Sequence, residues 1–312
     1  MAYIARSPIL LLNFNRPDLT ARVFEKVRLV QPSRLYIAVD GPRKYNPADV
    51  QKCKDVKLVF ENIDWDCSIK TLFRDENLGC KKGVSTAIDW FFENEKEGII
   101  LEDDCLPTES FFYFCDEMLD RYRQDTRISL ITGTNLQNGI IRGKGSYYFS
   151  QYSNIWGWAS WKRTWANYDS ALTNYTTDEV ASQLRNVFND DFLLAEWLKI
   201  FNRLKAGEID TWDYQLNFIT FFQNGLCVTP NVNLISNIGF REDATHVNNN
   251  IHNSELPVGE LWDIIHPKSF IPRKEADYYF LNKEFNLDEK WRQFEKDKLL
   301  RRRIKRWFKK VF

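Results

Sequence analysis

Short apolar strands alternate with amphipathic helices through the first 135 residues, and this alternation limits the possible folds more than any other feature of the sequence. Apolar runs predict strands at 8–13, 34–39, 68–73, 98–101 and 128–132. Apolar residues at helical spacing predict helices at 19–30, 82–94 and 110–124. Such alternation favours a mostly parallel sheet with helices on both faces. The predicted fold class is therefore α/β and Rossmann-like.

Polar and charged side chains follow the ends of these strands. Asn13 and Arg16 follow the first strand, Asp40 the second, Arg74 the third, and the triplet 102–104 the fourth. In parallel sheets ligands bind outside the carboxyl ends of the strands, so we expect these residues to meet at one edge. The resulting rim is polar and large enough for a nucleotide.

The acidic triplet Glu102-Asp103-Asp104 is the sharpest local feature. Clustered carboxylates in an accessible turn bind a hard divalent cation, which also coordinates phosphate oxygens. A solvated turn or a helix start would explain the same triplet without a ligand. The turn after the first strand has neither a Gly-x-Gly-x-x-Gly nor a P-loop motif, which disfavours dinucleotide dehydrogenases and P-loop NTPases.

The sequence changes character after Asn135. An aromatic stretch from Tyr147 to Tyr168 contains Trp156, Trp158, Trp161 and Trp165, which would either stack on sugar rings or form a core. We predict that residues 1–135 form one half, which carries the polar rim, that 136–285 form a second half of the same unit, and that 286–312 form a basic tail.

Five segments occur in the order and spacing seen in GT-A glycosyltransferases. They are Pro8–Arg16, Val39-Asp40-Gly41, Ile100–Asp104, Trp156-Gly157-Trp158 and Trp212-Asp213. Over residues 8–250 the chain resembles the N-acetylglucosaminyltransferase I type and its bacterial relatives. The resemblance implies a GT-A fold, a UDP-sugar donor, Mn²⁺ (or Mg²⁺) as cofactor, and a place in polysaccharide or lipopolysaccharide biosynthesis. It also implies that 1–135 is the nucleotide-sugar-binding half and 136–285 the acceptor-binding half.

The resemblance also implies roles for individual residues. Asp104 matches the metal-binding acid of the family's DxD-type motif, and Asp213 matches the catalytic base. From the residues alone, Asp210 is an alternative base, and Asp213 could instead cap the helix that follows it. The loop from Gly239 to His246 resembles one that closes over the diphosphate. Together with the polar rim, the expected nucleotide-sugar-binding residues are Asn13, Arg16, Asp40, Arg74, Glu102, Asp103, Trp156, Gly157, Trp158 and His246.

These observations predict an inverting, metal-dependent glycosyltransferase that moves a GlcNAc-like or Gal-like sugar from UDP to a glycan or lipid-linked acceptor. Two alternatives stay open. A nucleotidyltransferase of similar topology would also use acids and a metal, although the segment 13–18 lacks its usual Gly-rich basic loop. A glycan-binding protein without turnover would keep the same pocket.

Charge and cysteine content bear on location and partners. The 43 basic and 43 acidic residues cancel, so nothing suggests a nucleic-acid partner. Six unpatterned cysteines and no long apolar run predict a cytoplasmic protein with reduced thiols. Residues 298–312 hold eight basic residues and no acid, leaving −8 on the remainder. This cationic, amphipathic helix would bind either an anionic inner membrane leaflet or the acidic remainder of the protein.

Overall fold

The computed structural model describes residues 3–240 and 256–311. Within these residues one sheet has eight strands, which are β1 Ile9–Asn13, β2 Arg34–Val39, β3 Ser68–Phe73, β4 Glu97–Glu102, β6 Ile128–Thr132, β7 Tyr147–Ser150, β8 Trp158–Trp161 and β9 Leu226–Pro230. Their order in the sheet is β3-β2-β1-β4-β8-β6-β9-β7. Neighbouring strands β1 to β4 run parallel, while β8 and β7 run antiparallel to the strands beside them. A separate antiparallel pair is formed by β5 Cys105–Pro107 and β10 Ile235–Asn237.

Helices cover both faces of the sheet. They are α1 Pro17–Val30, α2 Pro47–Leu58, α3 Gly79–Asn94, α4 Glu109–Arg121, α5 Lys162–Trp165, α6 Thr177–Val187, α7 Asp191–Lys205, α8 Asp213–Phe222, α9 Lys274–Phe285 and α10 Leu287–Val311. The predicted mostly parallel sheet flanked by helices is confirmed.

Alternating side chains of each strand feed two different cores, as the period of a strand requires. On β1, Ile9 and Leu11 join the core formed with α1 and α4, whereas Leu10 and Leu12 join the core formed with α3. Because both faces of the sheet are buried, the central strands consist of unbroken runs of apolar residues. A third core lies among α6, α7 and α8 and includes Leu287 at the start of α10.

Several predicted elements match the structure closely, and others differ. The strands at 34–39, 68–73 and 128–132 have the predicted bounds. The aromatic stretch contains β7 and β8 of the main sheet, and α2 was not predicted because its buried residues show little apolar periodicity. Among the described helices, none combines the length and apolar character needed to cross a bilayer.

Candidate functional site

A cleft of about 670 Å³ lies at the carboxyl ends of β1, β2 and β4. The turns after these strands line the cleft, and so does the segment that leads into α8. The volume is typical of a site for a small organic ligand. Of the predicted site residues, the cleft lining includes Asn13, Arg16, Asp40, Arg74, Glu102, Asp103, Asp104, Trp156 and Asp213.

The acidic triplet is held by the register of β4 against β1. Leu12 pairs with Glu102, so the turn after β4 faces the turn after β1, which carries Arg16. Arg16 Nη2 forms an ion pair with Asp103 and lies 3.0 Å from Asp104 Oδ2. Because Asp103 is buried, an adjacent cation is needed to keep it ionised. Arg16 was predicted to hold the nucleotide, but it is paired with these acids.

Negative charge is concentrated in this part of the cleft. Burial raises the pKa of Glu102, the charges of Asp104 and Asp103 raise it further, and Arg16 opposes the shift. Burial also raises the pKa of Asp103, again against Arg16. One arginine therefore offsets only part of the charge of three neighbouring acids. The site retains an attraction for a further positive charge.

Asp40 and Arg74 connect the ends of β2 and β3 to the start of α3. The carboxylate of Asp40 accepts hydrogen bonds from Leu78 N at 3.1 Å and from Asn77 Nδ2 at 2.9 Å. Arg74 donates to the carbonyl oxygen of Gly83 at 3.0 Å, and its Nη1 lies 3.9 Å from Asp40 Oδ1. Burial raises the pKa of Asp40, and the bond from Leu78 N opposes that shift. These contacts fix one end of the cleft.

The two candidate bases both line the cleft but differ in setting. Asp213 is half-buried, accepts a hydrogen bond from the Thr211 hydroxyl, and accepts one from Tyr214 N at 2.9 Å. It lies in the first turn of α8, whose N-cap is Trp212, so Asp213 is not the capping residue. Asp210 is exposed. The held, half-buried carboxylate is the better positioned acid for accepting a proton from a bound ligand.

The predicted Trp156-Gly157-Trp158 group is divided between the cleft and the core. Trp156 lines the cleft, and its ring lies edge-on to Phe240 with centroids 5.6 Å apart. Trp158 is 1% exposed and stacks on Trp212 at 5.8 Å, which makes it a core residue outside the cleft lining. Gly157 also lies outside the lining; its φ of +62° forms the turn between the two tryptophans. Only Trp156 is therefore available to a ligand.

The predicted closing loop is only partly described. Gly239 and Phe240 line the cleft, and His246 lies outside the described residues. A Cβ atom at position 239 would lie 2.1 Å from Asp104 Oδ2, so any larger residue there would force this carboxylate to move.

Sequence reasoning missed the residues that brace the rim from outside. Asp49, in the first turn of α2, is 1% exposed and accepts hydrogen bonds from Arg43 Nε at 2.6 Å and Asn15 Nδ2 at 2.8 Å. Arg43 and Asn15 both line the cleft. Asp49 thus links the turn after β1 to the turn after β2. The sequence shows only an acid near a helix start, which is common, so no signal distinguished it.

The described residues are not arranged around a metal ion. Asp104 offers hard oxygen ligands of the kind that Mn²⁺ and Mg²⁺ prefer. However, Arg16 already contacts Asp104, and nowhere in 3–240 and 256–311 do three or more histidine, cysteine or acidic side chains converge to hold a metal. A cation at Asp104 would have to displace Arg16 from it. The manganese site stays a prediction.

Known proteins show little similarity to this chain. No family model matches the chain, and no curated protein matches it. A cytidylyltransferase from Leptospira borgpetersenii serovar Hardjo-bovis is 12% identical, with a TM-score of 0.32, over 53% of this chain and 64% of that one. A UDP-glucose pyrophosphorylase in complex with UDP-glucose is 11% identical, with a TM-score of 0.27, over 53% and 71% of the two chains. The function is therefore inferred from the cleft itself.

Proposed function

We propose that the protein is an inverting glycosyltransferase that moves a sugar from a UDP-sugar to a glycan or lipid-linked acceptor. One observation carries the proposal: the acidic triplet with Arg16 and the held carboxylate of Asp213 line the same cleft. Inverting transfer needs a base at the acceptor and a positive charge at the leaving phosphate, and Arg16 would supply that charge. The resemblance to GT-A enzymes supports the same assignment.

The donor would lie along the carboxyl edge of the sheet. Asn13, Asp40 and Arg74 provide hydrogen-bonding groups for a uridine at the β2 side of the cleft. Glu102 and Asp103 would meet the ribose or the sugar. Trp156 offers an aromatic face or edge for the apolar side of a sugar ring.

In the proposed reaction the acceptor hydroxyl attacks the anomeric carbon of the sugar. A new bond forms between the acceptor oxygen and this carbon, and the bond to the diphosphate oxygen breaks on the opposite face. UDP leaves with that electron pair, and the acceptor proton passes to the carboxylate of Asp213. The Thr211 hydroxyl holds this carboxylate in place.

Dependence on Mn²⁺ or Mg²⁺ is a separate part of the proposal. Asp104 would be the ligand, and Arg16 would then pair with Asp103 alone or with the diphosphate. The bond changes described above do not require a metal ion at Asp104. Metal dependence can therefore be tested apart from transfer.

Nucleotidyl transfer is the second candidate. The same acids and arginine would serve a reaction in which a nucleoside triphosphate loses pyrophosphate to a sugar phosphate. The two structural neighbours named above are nucleotidyltransferases. This reaction would not use a base at the position of Asp213, so the Asp213→Asn variant separates the two candidates.

Thermal unfolding with a panel of nucleotide sugars, with and without Mn²⁺, tests the donor assignment. A ligand that binds only the folded protein raises its Tm, and we expect UDP-sugars to do so most strongly. Asp104→Ala should remove the Mn²⁺-dependent part of the shift while the protein stays folded. The exposed Asp66, outside the cleft lining, gives a matched control as Asp66→Ala. An unchanged UDP shift in Asp104→Ala would rule out Asp104 as the metal ligand, and no shift with any nucleotide sugar would refute the donor assignment.

A further inference from the structure

Helix α10 has two halves with different surroundings. Its first half packs on the helical part of the protein: Leu287 is buried, and Phe294 meets Phe192 of α7 edge-on with centroids 5.6 Å apart. Lys298 Nζ lies 2.7 Å from Asp191 Oδ2, at the start of α7. The first half is therefore docked by an apolar contact and an ion pair.

The second half of α10, residues 299–311, begins where these contacts end. Leu299, Leu300 and Ile304 are exposed, at 51%, 56% and 47%. Such exposure is costly for neighbouring aliphatic residues on one helix unless something covers them.

The sequence of the second half separates apolar from basic positions. At about 100° per residue, the helix repeat groups one set of apolar positions within an arc of about 100°. The basic positions occupy the rest of the circumference. The apolar set is Leu300, Ile304, Trp307, Phe308 and Val311, and the basic set is Arg301, Arg302, Arg303, Lys305, Arg306, Lys309 and Lys310.

The apolar arc does not continue the docked face. By the same repeat, Phe294 lies about 90° and Lys298 about 130° from the centre of the arc. A straight α10 that keeps these contacts does not turn the arc toward α7. Packing of the tail on the acidic remainder accounts for the first half, through Asp191. It leaves Leu299, Leu300 and Ile304 exposed.

We propose that the second half of α10 binds the surface of an anionic lipid bilayer. A helix with an uncharged apolar arc containing Trp and Phe, flanked by basic residues, lies in the interface plane with the arc inserted and the basic side chains at the headgroups. The seven basic residues from Arg301 onward match a negatively charged surface. The charge of this segment and the spacing of its apolar residues both fit an anionic lipid bilayer.

The position of α7 relates this surface to the cleft. α7 starts at Asp191, which holds α10, and near its other end Arg203 lines the cleft. At 1.5 Å per residue the two sites are about 18 Å apart along the helix. A bilayer bound by α10 would therefore lie close to the cleft, which favours the lipid-linked class of acceptor. That last step rests on the proposed function, whereas the binding of lipid does not.

Vesicle flotation of the full-length protein tests the proposal without any nucleotide. We expect binding to vesicles of phosphatidylcholine with phosphatidylglycerol at low salt, release at high salt, and little binding to phosphatidylcholine alone. Leu300→Asp with Ile304→Asp should lower the partition coefficient at least ~10-fold. Leu29→Asp changes a similarly exposed leucine on α1 and should leave binding unchanged.

The charge contribution has its own pair of variants. Arg302→Glu with Arg303→Glu should weaken binding to anionic vesicles, while Arg22→Glu, an exposed position on α1, should not. Equal binding of the Leu300→Asp, Ile304→Asp protein, equal binding to neutral vesicles, or no binding at all would overturn the proposal. Self-association of the protein without vesicle binding would also overturn it and assign the arc to a second copy. UDP release in the absence of vesicles reports separately on the proposed function.

Discussion

At the scale of single residues, the pairing of Arg16 with the acidic triplet changes the view of the cleft. The sequence indicated that Arg16 and the acids share one edge of the sheet, because each follows the end of a strand. It did not indicate that Arg16 is bound to Asp103, since this follows from β1 lying beside β4. Strand order is a property of the whole sheet and is not readable from local spacing.

The choice between two bases is decided by a matched pair of substitutions. Asp213→Asn removes the proton acceptor and keeps the size of the side chain, so it should lower turnover at least ~100-fold with donor affinity nearly unchanged. Asp210→Asn, at an exposed acid that also lines the cleft, should have a small effect. Steady-state kinetics of both variants measures this. The reverse pattern would assign the base to Asp210.

At the scale of secondary-structure elements, buried polar contacts hold the turns that form the cleft. Such contacts are invisible in the sequence because their partners lie far apart or look like ordinary helix starts. Elements with strong apolar patterns, such as β2 and α10, could be predicted, whereas α2 and the short strands β7 and β8 could not. In β7 and β8 the sequence does not distinguish aromatic residues of a buried strand from aromatic residues that bind a sugar. Trp158, which is buried, is an example.

Asp49 should support both stability and the shape of the rim. Asp49→Ala leaves Arg43 and Asn15 without their buried acceptor, so we expect a loss of about 2–4 kcal/mol in the free energy of unfolding and weaker donor binding. Asp55→Ala, one helix turn and a half further along α2, should cost less than about 0.5 kcal/mol. Urea denaturation and donor titration compare the two. Equal effects would show that Asp49 does not brace the cleft.

Asp277 of α9 gives a pH dependence of known sign. Burial raises its pKa to about 6, although Ser150 and Gln151 N donate hydrogen bonds to it. The folded state therefore holds a proton that the unfolded state has lost between about pH 4 and 6, so this group makes the protein less stable as pH rises through that window. Relative to wild type, Asp277→Asn should gain roughly 2–3 kcal/mol between pH 4 and 7. A difference that stays constant with pH in denaturation experiments would contradict this.

At the scale of the whole molecule, the cleft lies where the parallel sheet predicts it, outside the carboxyl ends of the strands. Residues beyond Asn135 complete its lining. The first half was predictable because buried parallel strands leave long apolar runs and their ends carry the polar residues. The segment before α8 also lines the cleft, but it lies far from the first half in the sequence, and no local pattern places it there. The tryptophan before Asp213 was recognised only through the family resemblance.

The proposed function requires the cleft to cleave the bond between the sugar and UDP. The most direct measurement is UDP release from a panel of UDP-sugars with Mn²⁺ and no acceptor, alongside pyrophosphate release from UTP with sugar phosphates. We predict slow UDP release that Asp213→Asn lowers strongly and Asp66→Ala leaves unchanged, and no pyrophosphate. Pyrophosphate release without UDP release would identify a nucleotidyltransferase. If neither product is released, the binding-protein alternative is favoured. Either result would contradict the proposed glycosyl transfer.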